Sequence, residues 1–400
     1  MAAHDYAAFS GDIATVALFW SDNDDAILSD NGAGAFNSLQ FQAGLRYFNR
    51  SGNGLLHFDP SGKCGGSWAC DGLVDWPVTT RDGYDVSPSN SDDTVRNALG
   101  ALGYGAISSV ATMLGKTDAA ARYKAMQQSV LRSLVRLSLR RNATMAFFVD
   151  GAVGASASHA AVHSTLYAVS AGALDEAADP VLAGLVVAYL RAHGVPPSSC
   201  MMARWWTASL LHLGIVSADA ADYALELLTK QDYPSFLDMM AQGATTTMEA
   251  WRPADKSNLD FAHPWCASPS FNVPGGVLGA APEGPGWKTW RLVPQPSSVS
   301  SIDALVPSPQ GIISVAYASS IGASQSNATV NFSILAGQDS VRVCLAVAGT
   351  AAQAAPFARP SSDVLVVDGA AVGTPQALGR FLCASVASVG KHVAQRITSV

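Results

Sequence analysis

The chain has 400 residues, a formal net charge of −7, and 49% hydrophobic against 14% charged residues. So apolar a chain builds a sizeable buried core, which excludes intrinsic disorder, and its length holds one large domain or two ordinary ones. The acidic balance, with no basic block, excludes an electrostatic nucleic-acid binder, and no apolar run reaches the roughly 18 residues of a membrane span.

Taken in chain order, the first three quarters read as helix. The opening Met-Ala-Ala-His-Asp-Tyr lacks the charged and apolar regions of a signal peptide. Residues 36–48 are amphipathic. Residues 94–114 form a long helix of small and apolar residues, stopped by Gly115. Thr117 caps the next, in which Ala119, Tyr123, Met126, Val130, Leu134 and Leu137 recur at helical spacing. Residues 156–171 and 180–193 make another pair, the second ending at Gly194 before Pro196-Pro197. Residues 200–213 end at Gly214, Ser217 caps 218–230, and 236–242 form a short final helix. Helices joined by short loops form antiparallel hairpins, and hairpins set in a ring give an α/α barrel. Two long loops, 59–90 and 248–274, rich in Trp, Gly, Pro and Asp, suit the mouth of such a barrel. Beyond Trp287 the pattern changes to period two, at 311–317, 328–335, 341–347 and 363–367, with Gly, Asn and Asp at the turns. The expectation is a mainly α chain with a β domain: a helical barrel over 1–291 and a small antiparallel β-sandwich over 292–400.

Cys64 and Cys70 flank a short glycine-rich loop that a disulfide would close, while Cys200, Cys266, Cys344 and Cys383 read as buried free thiols. No Cys-x-x-Cys pair points to zinc, and neither a metal nor a cofactor is expected. Sequons at Asn49, Asn142, Asn327 and Asn331, with the Cys64/Cys70 pair, favour an extracellular setting and leave the compartment open. Gly115-Lys116-Thr117 imitates a phosphate loop, but the required first glycine falls at Val110.

The chemistry concentrates in Gly243-Ala-Thr-Thr-Thr-Met-Glu249-Ala-Trp251-Arg252 and Phe261-Ala-His263-Pro-Trp265. Glutamate is scarce, at Glu176, Glu226, Glu249 and Glu283, and of these Glu249 alone sits among aromatic residues. A carboxylate to activate water, flat rings for a sugar face and polar groups for hydroxyls are what sugar hydrolysis requires. Thr245, Thr246, Thr247 and Arg252 are expected to keep Glu249 ionised. Trp68, Trp76, Trp251 and Trp265 supply rings; Asp75, Asp82, Asp85 and His263 supply polar groups. Each has a plainer reading. Glu249 pairs with Arg252, the tryptophans pack the core, and Asp75 and Asp82 form turns. His159 and His163 stand at i, i+4, a spacing that here suits packing or a sugar-facing role better than a metal pair.

The order of these segments resembles the bacterial and fungal α-L-rhamnosidases of glycoside hydrolase family 78. The matching series is Ser10-Gly11-Asp12, Val74-Asp75-Trp76-Pro77 with Arg81-Asp82-Gly83-Tyr84, the helix around His159 and His163, the Glu249 motif, His263-Pro-Trp265 and Pro282-Glu-Gly-Pro-Gly286. The resemblance implies an (α/α)6 six-hairpin barrel followed by a C-terminal β-sandwich. It also implies an inverting hydrolase of rhamnose-containing glycosides or oligosaccharides, with Glu249 as general base, His263 contacting rhamnose and Trp76 packing on the sugar. Two departures stand out. Met248 replaces the tryptophan usual before the glutamate, and no glutamate precedes Glu176 to serve as the family's general acid. Only about eight or nine helices can be placed, fewer than six hairpins need. The expectation is therefore the C-terminal portion of a barrel incomplete at its N-terminal end. The alternatives are a catalytically impaired carbohydrate-binding homologue that lost the acid, or another six-hairpin glycosidase.

Overall fold

The computed structural model describes residues 2–18, 20, 48–50, 52–58, 74–84, 92–152, 154–175, 179–195, 198–295, 297–321, 326–346, 363–372 and 375–398. Cys64, Cys70, Trp68, Asp85 and the helix expected before Phe48 lie outside these residues. The chain divides into two compact units: Met1–Ala7, Asp12–Glu176 and Ala188–Met202 in the first, and Ala8–Gly11, Ala177–Val187 and Ala203–Val400 in the second.

The chain opens with α1 (Ala2–Ser10) and α2 (Ile13–Leu18). Between them Asp12 accepts hydrogen bonds from Thr15 N and Oγ1 and from Tyr6 Oη, satisfying the start of α2. A short ladder pairs β1 (Phe48–Arg50) with β2 (Leu56–Phe58). The main feature of the first unit is the hairpin of α3 (Thr94–Met113) and α4 (Thr117–Ser138). Asp93 caps α3 by accepting from Arg96 N at 2.8 Å. Gly115, at φ +72°, makes the turn, and the residue preceding α4 is Lys116, with Thr117 already helical. Small residues let the helices approach closely: a Cβ on Gly105 would lie 2.5 Å from Gln127 Nε2. Tyr104 stacks on Tyr123 across the pair.

After the hairpin of β3 (Leu139–Arg141) and β4 (Ala146–Phe148), the helix expected over 156–171 forms only as α5, Val162–Ser170. The reason is long-range capping. Ala161 is extended, its amide donates to Asp150 Oδ1, and the Val162 amide donates to Asp82 Oδ2, so α5 starts where two distant carboxylates meet it. Next comes α6 (Pro180–His193).

In the second unit α7 (Ala203–Leu213) packs on α8 (Ala218–Thr229), with Trp206 edge-on to Tyr223. The short α9 (Phe236–Ala241) is capped by Ser235, whose side chain accepts from Asp238 N. Two sheets follow. Five strands run in the order β13 (Gln376–Leu378), β14 (Phe381–Val386), β10 (Ser340–Ala346), β6 (Thr289–Leu292), β5 (Ala280–Pro282). Six more run β12 (Ala370–Ala371), β11 (Asp363–Val367), β15 (Gly390–Thr398), β9 (Ser326–Ile334), β8 (Gly311–Ile321), β7 (Ser301–Ser308). Side chains of both sheets, among them Trp290, Val343, Leu382, Val315, Phe332 and Leu365, form one apolar cluster. Strand pairing begins at Ala280, ahead of Leu292. The antiparallel expectation fails at one ladder: β6 and β10 are parallel, because β7, β8 and β9 lie in the other sheet between them and the chain returns in the same direction. Gly279 is obligatory at this entry, with φ +77° and Val293 O 2.0 Å from where a Cβ would stand.

The free-thiol reading of four cysteines is also overturned. Cys344 and Cys383 stand opposite one another in the β10–β14 register, Cα atoms 4.1 Å apart, and are bridged. Neither Cys200 nor Cys266 is a free thiol, each being in a disulfide. Thirty-nine residues separate Cys344 from Cys383, so only strand register reveals the pairing.

Candidate active site

The predicted residues fall into the two units: Asp75, Trp76 and Asp82 in the first, Glu249, Trp251, His263 and Trp265 in the second.

In the second unit, α9 delivers the chain into a loop that closes on itself. His263 N donates to Thr247 O at 2.8 Å, and Thr247 Oγ1 donates to His263 O at 2.8 Å. Glu249 N donates to Asp260 O at 2.9 Å. Segments 247–249 and 260–263 are thereby clipped together, which brings Glu249 and His263 to the same place. Lys256 Nζ donates to Glu249 Oε2 at 2.8 Å, and Asp260 N adds a longer bond to the same oxygen at 3.3 Å. Oε1 accepts from no described residue. The Lys256 hydrogen bond holds the Glu249 carboxyl below its ordinary value; the Asp260 amide and the charges of Lys256 and His263 act the same way, and partial burial opposes them. A carboxylate that is ionised, 12% exposed and open at one oxygen can accept a proton from water.

Two expectations about this loop are corrected. Arg252 does not meet Glu249: it forms a two-pronged pair with Asp238, at 2.7 and 2.6 Å, and lies over the Tyr233 ring. Thr247 spends its hydroxyl on His263 O and not on the glutamate. The cation on Glu249 is Lys256, which sequence reasoning missed because it comes from seven residues downstream, beyond the turn Pro253–Asp255.

The rings divide by exposure. Trp251 is buried and packs edge-on against Phe236, the surroundings of a core residue. Trp265 is 39% exposed, and the His263 ring meets it edge-on at 4.7 Å. His263 Nδ1 accepts from Trp265 N, so a neutral ring carries its proton on Nε2 and presents a donor there.

In the first unit Asp75 is fully buried and saturated. Its oxygens accept from Trp76 N, Ser199 N, Ser199 Oγ and His163 Nε2. A carboxylate with no exposed surface and four donors has the surroundings of an anchor for the loop. His163, also fully buried, is its partner, while His159 pairs with Asp150 at 2.5 Å. Asp82 gives one oxygen to the start of α5 and is half-buried. Trp76, beside the anchor, is 37% exposed.

The family model of the bacterial alpha-L-rhamnosidase 6 hairpin glycosidase domain matches residues 59–271, and that of the bacterial alpha-L-rhamnosidase C-terminal domain matches 279–336. An alpha-L-rhamnosidase of Alteromonas sp. (strain LOR) is 31% identical over 129 residues, 30% of this chain and 14% of that protein. The structure of Streptomyces avermitilis alpha-L-rhamnosidase complexed with L-rhamnose superposes over 98% of this chain and 32% of its own, with a TM-score of 0.59 and 18% identity. The family 78 rhamnosidase of Bacillus sp. GL1 does so over 80% and 30%, with a TM-score of 0.52 and 18% identity. The chain thus spans about a third or less of the length of these relatives. Because the first family model covers more than half of the 400 residues, this chain belongs to the bacterial alpha-L-rhamnosidase six-hairpin glycosidase family.

Proposed function

We propose that this chain carries the base half of an inverting hydrolysis of terminal α-L-rhamnosides, with Glu249 as general base. The observation that carries the proposal is the division of labour on one carboxylate: Oε2 is held by Lys256 and Asp260 N, and Oε1 accepts from no described residue. In the proposed reaction water loses a proton to Oε1 as its oxygen attacks the anomeric carbon, and a second carboxyl protonates the leaving oxygen from the opposite face. In the second unit His263 Nε2–H donates to a ring hydroxyl and Trp265 offers flat surface to the sugar; in the first unit Trp76 and the remaining oxygen of Asp82 are carbohydrate contacts proposed in their own right. Asp75 and Trp251 hold the loops that carry these groups. A rhamnose-containing glycoside or oligosaccharide is the substrate class that the family supports.

The test uses 4-nitrophenyl α-L-rhamnoside, whose leaving group needs little protonation. The first-formed sugar seen by proton NMR is expected to be the β-anomer. Glu249→Gln is expected to lose roughly 10²- to 10⁴-fold in kcat. Azide is expected to rescue Glu249→Gly and yield the inverted glycosyl azide. Equal turnover by wild type and Glu249→Gln would remove Glu249 from the chemistry.

A further inference from the structure

The contacts of Lys256 define a role beyond charge balance. Its ammonium donates to Glu249 Oε2 at 2.8 Å, to Asn258 O at 3.1 Å and to Asn258 Oδ1 at 2.9 Å. An ammonium has three hydrogens, so all of its donors are spent on the protein and none remains for a substrate. The lysine and glutamate side chains are 11% and 12% exposed, which sets the pair apart from the mobile ion pairs of an open surface. With the Asp260 amide on the same oxygen, the glutamate is fixed along one edge. Arg252, three residues on from Glu249 in sequence, is committed to Asp238.

We propose that Lys256 is a positioning residue for Glu249: by saturating Oε2 it fixes the carboxylate so that Oε1 alone receives the proton from water. This rests on the reading of Glu249 as base. A consequence concerns pH. Among the described residues, the titratable neighbours of Glu249 are Lys256 and His263, which both favour the carboxylate, and Asp260, which meets it through its amide. Lys256 acts most strongly, so it also sets how far into acid the base keeps working. A lowered proton affinity makes a weaker base; what is gained is a base that stays unprotonated in acidic surroundings.

Scarcity of glutamate makes the test direct. Labelling glutamate with 13C at the side-chain carboxyl gives signals from Glu176, Glu226, Glu249 and Glu283 alone, and Glu249→Gln assigns the one that matters. In Lys256→Met the titration midpoint of that signal is expected to rise. The acid limb of aryl rhamnoside turnover is expected to rise with it, while KM stays near the wild-type value. Lys256→Arg is expected to restore both. An unmoved midpoint and acid limb would overturn the proposal; so would a raised KM with an unchanged pH profile, which would make Lys256 a substrate-binding residue. Should Lys256→Met not fold, Lys256→Gln, which keeps a donor and loses the charge, carries the same test. The NMR midpoint judges the lysine–glutamate pairing even if Glu249→Gln proves fully active, so failure of the base assignment and failure of this inference remain distinguishable.

Discussion

At the start of α3, Asp93 lies 3.0 Å from Arg96 Nε; in the loop after α9, Glu249 lies 2.8 Å from Lys256 Nζ. Both are carboxylates beside a cation, yet they titrate in opposite directions. Asp93 has no exposed side-chain surface, and burial pushes it up to about 6 in spite of the Arg96 charge and the hydrogen bonds from Arg96 N and Tyr84 Oη. Glu249 keeps an edge open, and the Lys256 hydrogen bond pulls it down. Desolvation outweighs a neighbouring cation when water is fully excluded and loses when it is not. The first arrangement builds a scaffold, and the second leaves a group able to exchange a proton.

The comparison can be broken at several points. The largest effect is expected from Asp93→Ala, which removes the cap of α3 and the acceptor for Tyr84 and strands a buried Arg96. A loss of about 3–5 kcal/mol in urea unfolding is expected, and a loss under about 1 kcal/mol would deny Asp93 a scaffold role. Trp251→Ala, opening a cavity beside Phe236, is expected to cost a similar amount, roughly 3–5 kcal/mol, with the loss read in Tm.

The pH dependence of stability sharpens the contrast. The folded value of Asp93, about 6, exceeds its ordinary value of 3.8, so the fold holds this proton longer than the open chain does. Its contribution is fully present below about 4 and lost as pH rises through about 6, a change on the order of 3 kcal/mol. Glu249 has the reverse sign: its stabilisation is present above the ordinary value and fades as pH falls through the lowered folded one. Unfolding free energies of wild type and Asp93→Asn across this range check the assignment, since the asparagine variant should lack the decline between pH 4 and 6. The smallest effect is expected from Trp265→Ala. The ring is partly exposed, so stability should change by less than about 1 kcal/mol, while KM for an aryl rhamnoside rises roughly threefold to tenfold through lost stacking.

Much of the scaffold was legible because its signals are local. The helices at 94–113, 117–138, 180–193 and 218–229 carry their own periodicity and glycine stops, and the strands at 311–321, 340–346 and 363–367 show plain alternation. What escaped was set at long range. Nothing between residues 156 and 161 announces that Asp82 and Asp150 will start α5 at Val162. The Cys344–Cys383 bridge follows from strand register, as does the parallel ladder of β6 with β10. At the site, Glu249 and His263 were marked by their motif, but sequence proximity misassigned Arg252: a guanidinium three residues away took the carboxylate of Asp238, whose geometry suits two prongs, and left the glutamate to Lys256.

The paired hydrogen bonds between Thr247 and His263 have a practical corollary for anyone redesigning this enzyme family. A substitution that shifts one side of that clip drags the other, so the Glu249 carboxylate and the His263 imidazole travel as one body. Specificity is therefore better altered by exchanging residues 247–265 as a cassette from a relative than by moving His263 alone, because a transplanted loop brings its own internal registration with it.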